Sequence, residues 1–374
     1  MNEFHIPPPS DLTVRMHPKT INTSPASHLQ RTNNFNLCRL VLAILVIVSH
    51  GPELIDGNRH RELLTQLFHT ISFGEFAVDG FFLISGYLIT QSWHETPQAF
   101  SFLKKRVLRI FPAFIAWSLI SAVIVGPLAA DPRYFFQFDI PAFAKGMLAL
   151  QVPQVPPVFV GSHYPLINGS MWTISYEFYC YLAILAFGIF GLLRHRASWL
   201  STTLILLALN VLHNFGVQTT CFGFCDLVNP IYRLSMFFFA GGCFFLYRDS
   251  LRYEKKFLII LIPLLLAALF SIRTAEIALA TLGGYLLFYF ALARIPVLSY
   301  FNKLPDVSYG LYLSAWPVTK LLILFYPEIS APTLVPLTTL ICIIFGAASW
   351  YVVEKPFLKL KNWQGSRPSA INAT

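Results

Sequence analysis

The sequence predicts an all-α fold: a polytopic integral membrane helical bundle of about ten transmembrane helices, with both termini cytoplasmic. Three observations predict it. The 374-residue chain is 55% apolar and only 12% charged, whereas soluble domains carry about 25% charged residues. Apolar runs of about twenty residues, enough to cross a bilayer, recur almost from end to end. The net charge of +9 is spread over short loops, which is the pattern of orientation in a membrane rather than of nucleic-acid binding.

Residues 1–35 are polar and broken by Pro7, Pro8, Pro9, Pro18 and Pro25, without the apolar core of a signal peptide, and read as a flexible cytoplasmic tail. Spans are expected at 37–56, 68–92, 111–130, 172–193, 199–216, 231–247, 257–272, 275–293, 307–325 and 333–352. The stretch 142–160, interrupted by Pro153, Pro156 and Pro157, reads as a re-entrant or interfacial piece. Residues 36–358 form one membrane domain, and 359–374 a basic cytoplasmic tail. With this topology nineteen Lys and Arg fall inside and five outside, so the positive-inside rule supports it. Cys221 and Cys225 share a loop, where a local disulfide is open; no further ligands accompany them, and no metal is expected.

Within this scaffold a few polar residues stand out. Arg39 and His50 share the first span, and eleven residues at about 100° each place them on nearly one face, roughly 16 Å apart. Ionisable groups inside a membrane are costly and mark functional sites. Glu53 and Asp56 follow His50, and an imidazole near a carboxylate acts as a general base near neutral pH. The competing structural role is a histidine bridging two helices. Asp79 in the second span needs a partner, for which His50 and Arg39 are the candidates; Gly80 and Gly86 beside it permit close approach. Arg106 and Arg109 lie one helical turn apart in a basic run, where they form either a topological anchor or a phosphate fork. Glu177 is a second buried carboxylate, and Trp172, Tyr176 and Tyr179 around it form an aromatic belt. Pro356 is expected to end the last span.

Taken together these runs resemble the acyltransferase-3 family, polytopic membrane O-acyltransferases that decorate bacterial surface sugars. The matching runs, in the family's order, are the Arg39–His50 span, DGFFLISGYLI at 79–89, KKRVLRIFPAF at 104–114, SMWTISYEFYCY at 170–181, VSYGLYLSAWPV at 307–318 and VVEKPF at 352–357. The resemblance implies an acyl-CoA donor, usually acetyl-CoA, arriving from the cytoplasm as substrate rather than cofactor. It implies a hydroxyl acceptor on a saccharide or lipid-linked glycan. It also implies that Arg39 and His50 are essential, and that Arg106 and Arg109 serve the donor. Asn36 stands where many members have Asp, and Ala315 where some have a second histidine. The chain has a short basic tail after Phe357 where some members carry a hydrolase-like domain.

The expected function is therefore O-acyl transfer at a multi-pass inner-membrane site. His50 is base or acyl carrier, Asp79 or Glu177 orients it, Arg39 lies on the donor's path, and Trp172, Tyr176 and Tyr179 stack on the acceptor. A proton-coupled transporter or flippase using His50, Asp79 and Glu177, and a non-catalytic subunit of a polysaccharide synthase, are the other classes.

Overall fold

The computed structural model describes residues 33–215, 225–295, 298, 301 and 304–362, the side chains of 225–229 and 362 excepted. Most of the two expected tails, residues 1–32 and 363–374, and the Cys221–Cys225 pair as a disulfide lie outside what is described. Ten long helices follow one another among the described residues: α1 Phe35–Asp56, α2 Phe73–Glu95, α3 Ala99–Ala129, α4 Trp172–Ile189, α5 Arg196–Asn214, α6 Cys225–Leu246, α7 Lys255–Leu269, α8 Ala275–Leu292, α9 Ser308–Phe325 and α10 Ala331–Lys359. Each overlaps an expected span. By length and apolarity, six are fit to cross a membrane: α1, α2, α3, α8, α10 and the stretch Gly169–Ile189 that contains α4.

α9 fails that test for a physical reason. It is buried continuously from Gly310 to Lys320, packed between α1 and α10, so its neighbours are protein and it can carry Ser314, Thr319 and Lys320 where each finds a partner. The Ser314 and Thr319 hydroxyls donate to the carbonyls of Leu311 and Ala315, and Lys320 Nζ donates to Ser162 Oγ at 2.7 Å.

Two helix ends depart from expectation. α3 begins at Ala99 rather than near 111, so the basic run 104–109 is helical and not a loop. Its Lys and Arg residues are good helix formers, and the apolar residues around them continue the buried face through Phe102 and Ile110. α10 continues past Pro356 to Lys359. A wide π turn at Trp350–Glu354 precedes that proline and accommodates the N–H it lacks.

α2 is the hub, packed against α1 on one side and α6 on the other. Its start is fixed by a capping box, Ser72 with Glu75. Its contact with α6 depends on two glycines: a Cβ on Gly86 would lie 1.8 Å from the Phe238 carbonyl oxygen, and one on Gly241 would lie 2.0 Å from that of Leu83. Backbone thus meets backbone from both sides, the close approach that small residues permit between membrane helices. Gly80 instead receives the Leu42 side chain of α1.

The segment between α3 and α4 includes a short helix, Ile140–Leu148, and then runs without regular structure over one end of the bundle. It is stitched to α9, with Trp316 Nε1 donating to the Leu166 carbonyl at 3.1 Å and Asn168 Nδ2 to that of Leu313 at 2.8 Å. Gly86→Ala is expected to destabilise the fold by about 1–3 kcal/mol or more, because the clashing atom is backbone and cannot rotate away. A thermal melt of the detergent-solubilised protein would show it, with Gly80→Ala, which meets only a leucine side chain, losing less.

Candidate active site

Polar residues gather at two levels of the bundle. At the basic end a cavity of about 510 Å³ opens between α1, α2, α3, α4, α9 and the end of α10. Arg39, Arg106, Arg109 and Glu177 all line it, with Lys105 and Lys361 also on its walls.

Two of these arginines are already neutralised. Arg39 Nη1 and Arg109 Nη2 converge on one oxygen of Asp306, at 3.2 and 2.6 Å, and Arg109 Nη1 lies 3.0 Å from Glu354. Burial pushes the Asp306 carboxyl up, but Arg109, Arg39 and Ser308 outweigh it and hold it at about 2. Arg106 differs. Its guanidinium lies over the Phe102 and Tyr181 rings, donates to Ser92 Oγ at 3.3 Å, and among the described residues faces no carboxylate within ion-pair distance. Arg106 and Arg109 therefore share the cavity without forming a symmetrical fork; only Arg106 is uncommitted. Glu177 accepts hydrogen bonds from Ser85 at 2.8 Å and Tyr181 at 2.6 Å.

His50 sits at the other level, outside the cavity walls. Its Nδ1 is 2.8 Å from Glu53 Oε2, and the other Glu53 oxygen accepts from Arg59 Nε and the Tyr164 hydroxyl, both at 2.5 Å. Pro52 and Gly57, which ends α1 with φ of 78°, bracket this carboxylate. An ionised carboxylate at Nδ1 fixes the ring proton there and leaves the lone pair on Nε2, the arrangement of a general base. Trp316 packs edge-on against the imidazole, 5.7 Å between centroids, and Tyr164 against Trp316 at 6.0 Å. On the Nε2 side is Gly74, whose missing Cβ would stand 3.5 Å from that nitrogen.

A family model described as an acyltransferase domain matches residues 32–354. The chain belongs to the acyltransferase-3 family. Among curated proteins, this acyltransferase is 28% identical over 351 residues to an O-acetyl transferase of Shigella phage Sf6, covering 88% of this chain and 97% of the relative. It is 27% identical to nodulation protein 10 of Rhizobium leguminosarum bv. viciae, covering 88% and 94%. A shorter match of 118 residues, 29% identical, covers 32% of the chain and 29% of the acyltransferase MdmB of Streptomyces mycarofaciens. No solved structure matches. Family membership selects the enzyme among the three expected classes, and with the apolar helices it makes the chain a multi-pass membrane protein.

The site of this acyltransferase corrects several expected pairings. Asp79 meets neither His50 nor Arg39. It pairs with Arg233 of α6 at 2.8 Å; Arg233 also contacts Glu276 of α8 at 2.8 Å, and Glu276 accepts from Asn210 of α5 at 2.6 Å. Glu177 turns into the cavity and does not reach His50. The orienting carboxylate is Glu53, three residues beyond the histidine. Arg59, Tyr164, Asp306 and Glu354 were missed as partners. The need of Arg39, Arg109 and Arg233 for countercharges was a signal in the sequence, but not one that said which acid answers which base. Trp172, Tyr176 and Tyr179 run along α4 with edge-on rings at 5.6 and 6.3 Å, and Trp172 and Tyr179 are exposed. The aromatic rings beside His50 are Trp316 and, behind it, Tyr164.

Glu62, in the loop after α1, lies beneath this group and accepts from Ser49 Oγ at 2.9 Å and from the Phe73 backbone N–H. Burial raises its carboxyl to about 7, despite the Ser49 hydroxyl. A carboxyl raised in the folded state favours folding below its unfolded value of 4.5, and that advantage is lost as pH rises through about 7. Glu62→Gln is therefore expected to flatten the fall in melting temperature between about pH 5 and about pH 8; an unchanged slope would contradict the assignment.

Proposed function

We propose that this acyltransferase is an O-acetyltransferase of the bacterial inner membrane. It moves an acetyl group from cytoplasmic acetyl-CoA to a hydroxyl of a saccharide or lipid-linked glycan presented at the His50 end. The positive-inside asymmetry puts the basic end, and with it the cavity mouth, in the cytoplasm. The name of the Shigella phage relative supports the acetyl group, and the resemblance of the motif set to enzymes of surface sugars supports the acceptor class.

The observation that carries the reading is the Glu53–His50 pair standing just beyond a cavity whose mouth holds uncommitted positive charge. The phosphates of the donor lie near Arg106, while the Asp306-bridged Arg39 and Arg109 form a wall of fixed charge along the path. Glu177, held by Ser85 and Tyr181, offers an acceptor to the amide N–H groups of the pantetheine arm. Asp79 keeps a structural role, locking α2 to α6 and α8 through Arg233. Trp316 and Tyr164 are the near aromatic surface for a sugar ring, with Trp172, Tyr176 and Tyr179 continuing it along α4.

At His50, Nε2 takes the proton of the acceptor hydroxyl as its oxygen forms the new C–O bond to the thioester carbon. The C–S bond then breaks, and the departing thiolate takes the proton from the imidazolium, restoring the base. Glu53, fixed by Arg59 and Tyr164, stabilises the imidazolium between the two proton transfers.

In membranes supplied with labelled acetyl-CoA and acceptor glycan, His50→Ala is expected to lower transfer by about 10²–10⁴-fold. Glu53→Gln, which keeps the shape but loses the charge, is expected to lose about 10²-fold or more with KM for the donor unchanged. Undiminished transfer by His50→Ala, with the protein present in the membrane at normal level, would end this reading.

A further inference from the structure

The cavity stops short of the histidine. Two helices measure the shortfall independently. On α9, Tyr312 lines the cavity while Trp316, four residues on, packs against His50. On α2, Val78 lines the cavity while Gly74, four residues back, faces His50 Nε2. Four helical residues rise about 6 Å, so one turn of packed protein divides the cavity from the base.

That division has identifiable parts. Phe81 and Tyr312 both line the cavity and meet edge-on with centroids 6.0 Å apart. The Tyr312 hydroxyl and Thr173 Oγ1 share a hydrogen bond of 2.7 Å, tying α9 to α4 across the top of the cavity. Phe81 also packs against the cluster that includes Ile47 and Ala315, each one turn or less from the His50 level on its own helix. The three side chains come from three different helices, and none is charged or committed to an ion pair.

We propose that Phe81, Tyr312 and Thr173 form an acyl-selecting septum: the thioester's acyl group must pass between the two rings to reach His50, and the gap admits acetyl in preference to longer chains. This inference rests on the reading given under Proposed function and adds to it the residues that set the acyl class. Parting the rings breaks one hydrogen bond and moves no charge, so the septum can open for a small group. Each added methylene must find room against Phe81 on one side and Tyr312 on the other, and a single methylene in such a slot is worth about 10-fold or more in discrimination.

The test is transfer from acetyl-, butyryl- and hexanoyl-CoA by the full chain in membranes. Butyryl adds two methylenes, so wild type is expected to favour acetyl over butyryl by about a hundredfold or more in kcat/KM. Phe81→Ala is expected to narrow that ratio to about threefold or less, while KM for acetyl-CoA, set at the cavity mouth, stays within about twofold. Tyr312→Phe and Thr173→Val keep the packing and remove only the hydrogen bond, so each is expected to relax the ratio in the same direction, and they carry the test if Phe81→Ala does not accumulate. Three outcomes overturn the septum while leaving the proposed function standing: a wild type that uses butyryl as readily as acetyl, a Phe81→Ala enzyme that transfers acetyl with the wild-type ratio, or, where Phe81→Ala is absent from the membrane, unchanged ratios in both hydrogen-bond variants. A wild type that transfers no acyl group from any of the three thioesters overturns both.

Discussion

A charge taken out of water must be answered by an opposite charge or by hydrogen bonds, and that constraint organises this bundle. Arg233 holds Asp79 and Glu276, and so joins α6, α2 and α8. Asp306 and Glu354 hold Arg39 and Arg109, and so join α1, α3 and the approach to α9 with the end of α10. Each network doubles as a clamp between elements distant in sequence. What the networks leave over is as informative as what they bind. Among the described residues, Arg106 has a cavity wall but no carboxylate, and His50 has a carboxylate on one nitrogen and none on the other. Those are the groups with capacity for a substrate.

The two leftovers lie on opposite sides of a one-turn barrier, and this separation suits chemistry between compartments. In the proposed reaction a thioester and its acceptor hydroxyl have to meet, yet water following either one would hydrolyse the donor. Under that proposal, a base placed beyond a closed aromatic layer would keep the two apart until the acyl group itself fills the gap. The structure-free loop over the His50 end contributes directly: Tyr164 fixes the carboxylate that fixes the base, and the carbonyl of Leu166 anchors Trp316. A loop that the sequence does not mark as functional thus lies against His50.

The helices were legible because bilayer-length apolar runs are a strong signal, and the ten expected spans each find a helix. The ends were less so: a proline at 356 reads as a stop, but the preceding π turn absorbs it, and nothing in residue order announces a change of hydrogen-bond register. Four of the candidate residues, Arg39, Arg106, Arg109 and Glu177, come together in one cavity, and each is visible in the sequence as an ionisable group in or beside an apolar run. Their pairing was not legible. The expected partners of Asp79 are the ionisable groups of the adjoining span, Arg39 and His50, whereas Arg233 is 154 residues away. Glu53 was visible three residues after His50, yet the deeper Asp79 and Glu177 drew the role of orienting acid because they are more conspicuous inside a span. Helical spacing alone would have favoured Glu53, because residues three apart share a face.

The central claim is that the donor enters from the basic end and brings its thioester up to the layer beneath His50. An experimental structure of the protein with coenzyme A bound tests this most directly. The account predicts the phosphates beside Arg106 and the thiol under the Phe81 and Tyr312 rings, within one helical turn of His50. A nucleotide seated at the His50 end, among Tyr164, Trp316 and Arg59, would contradict it.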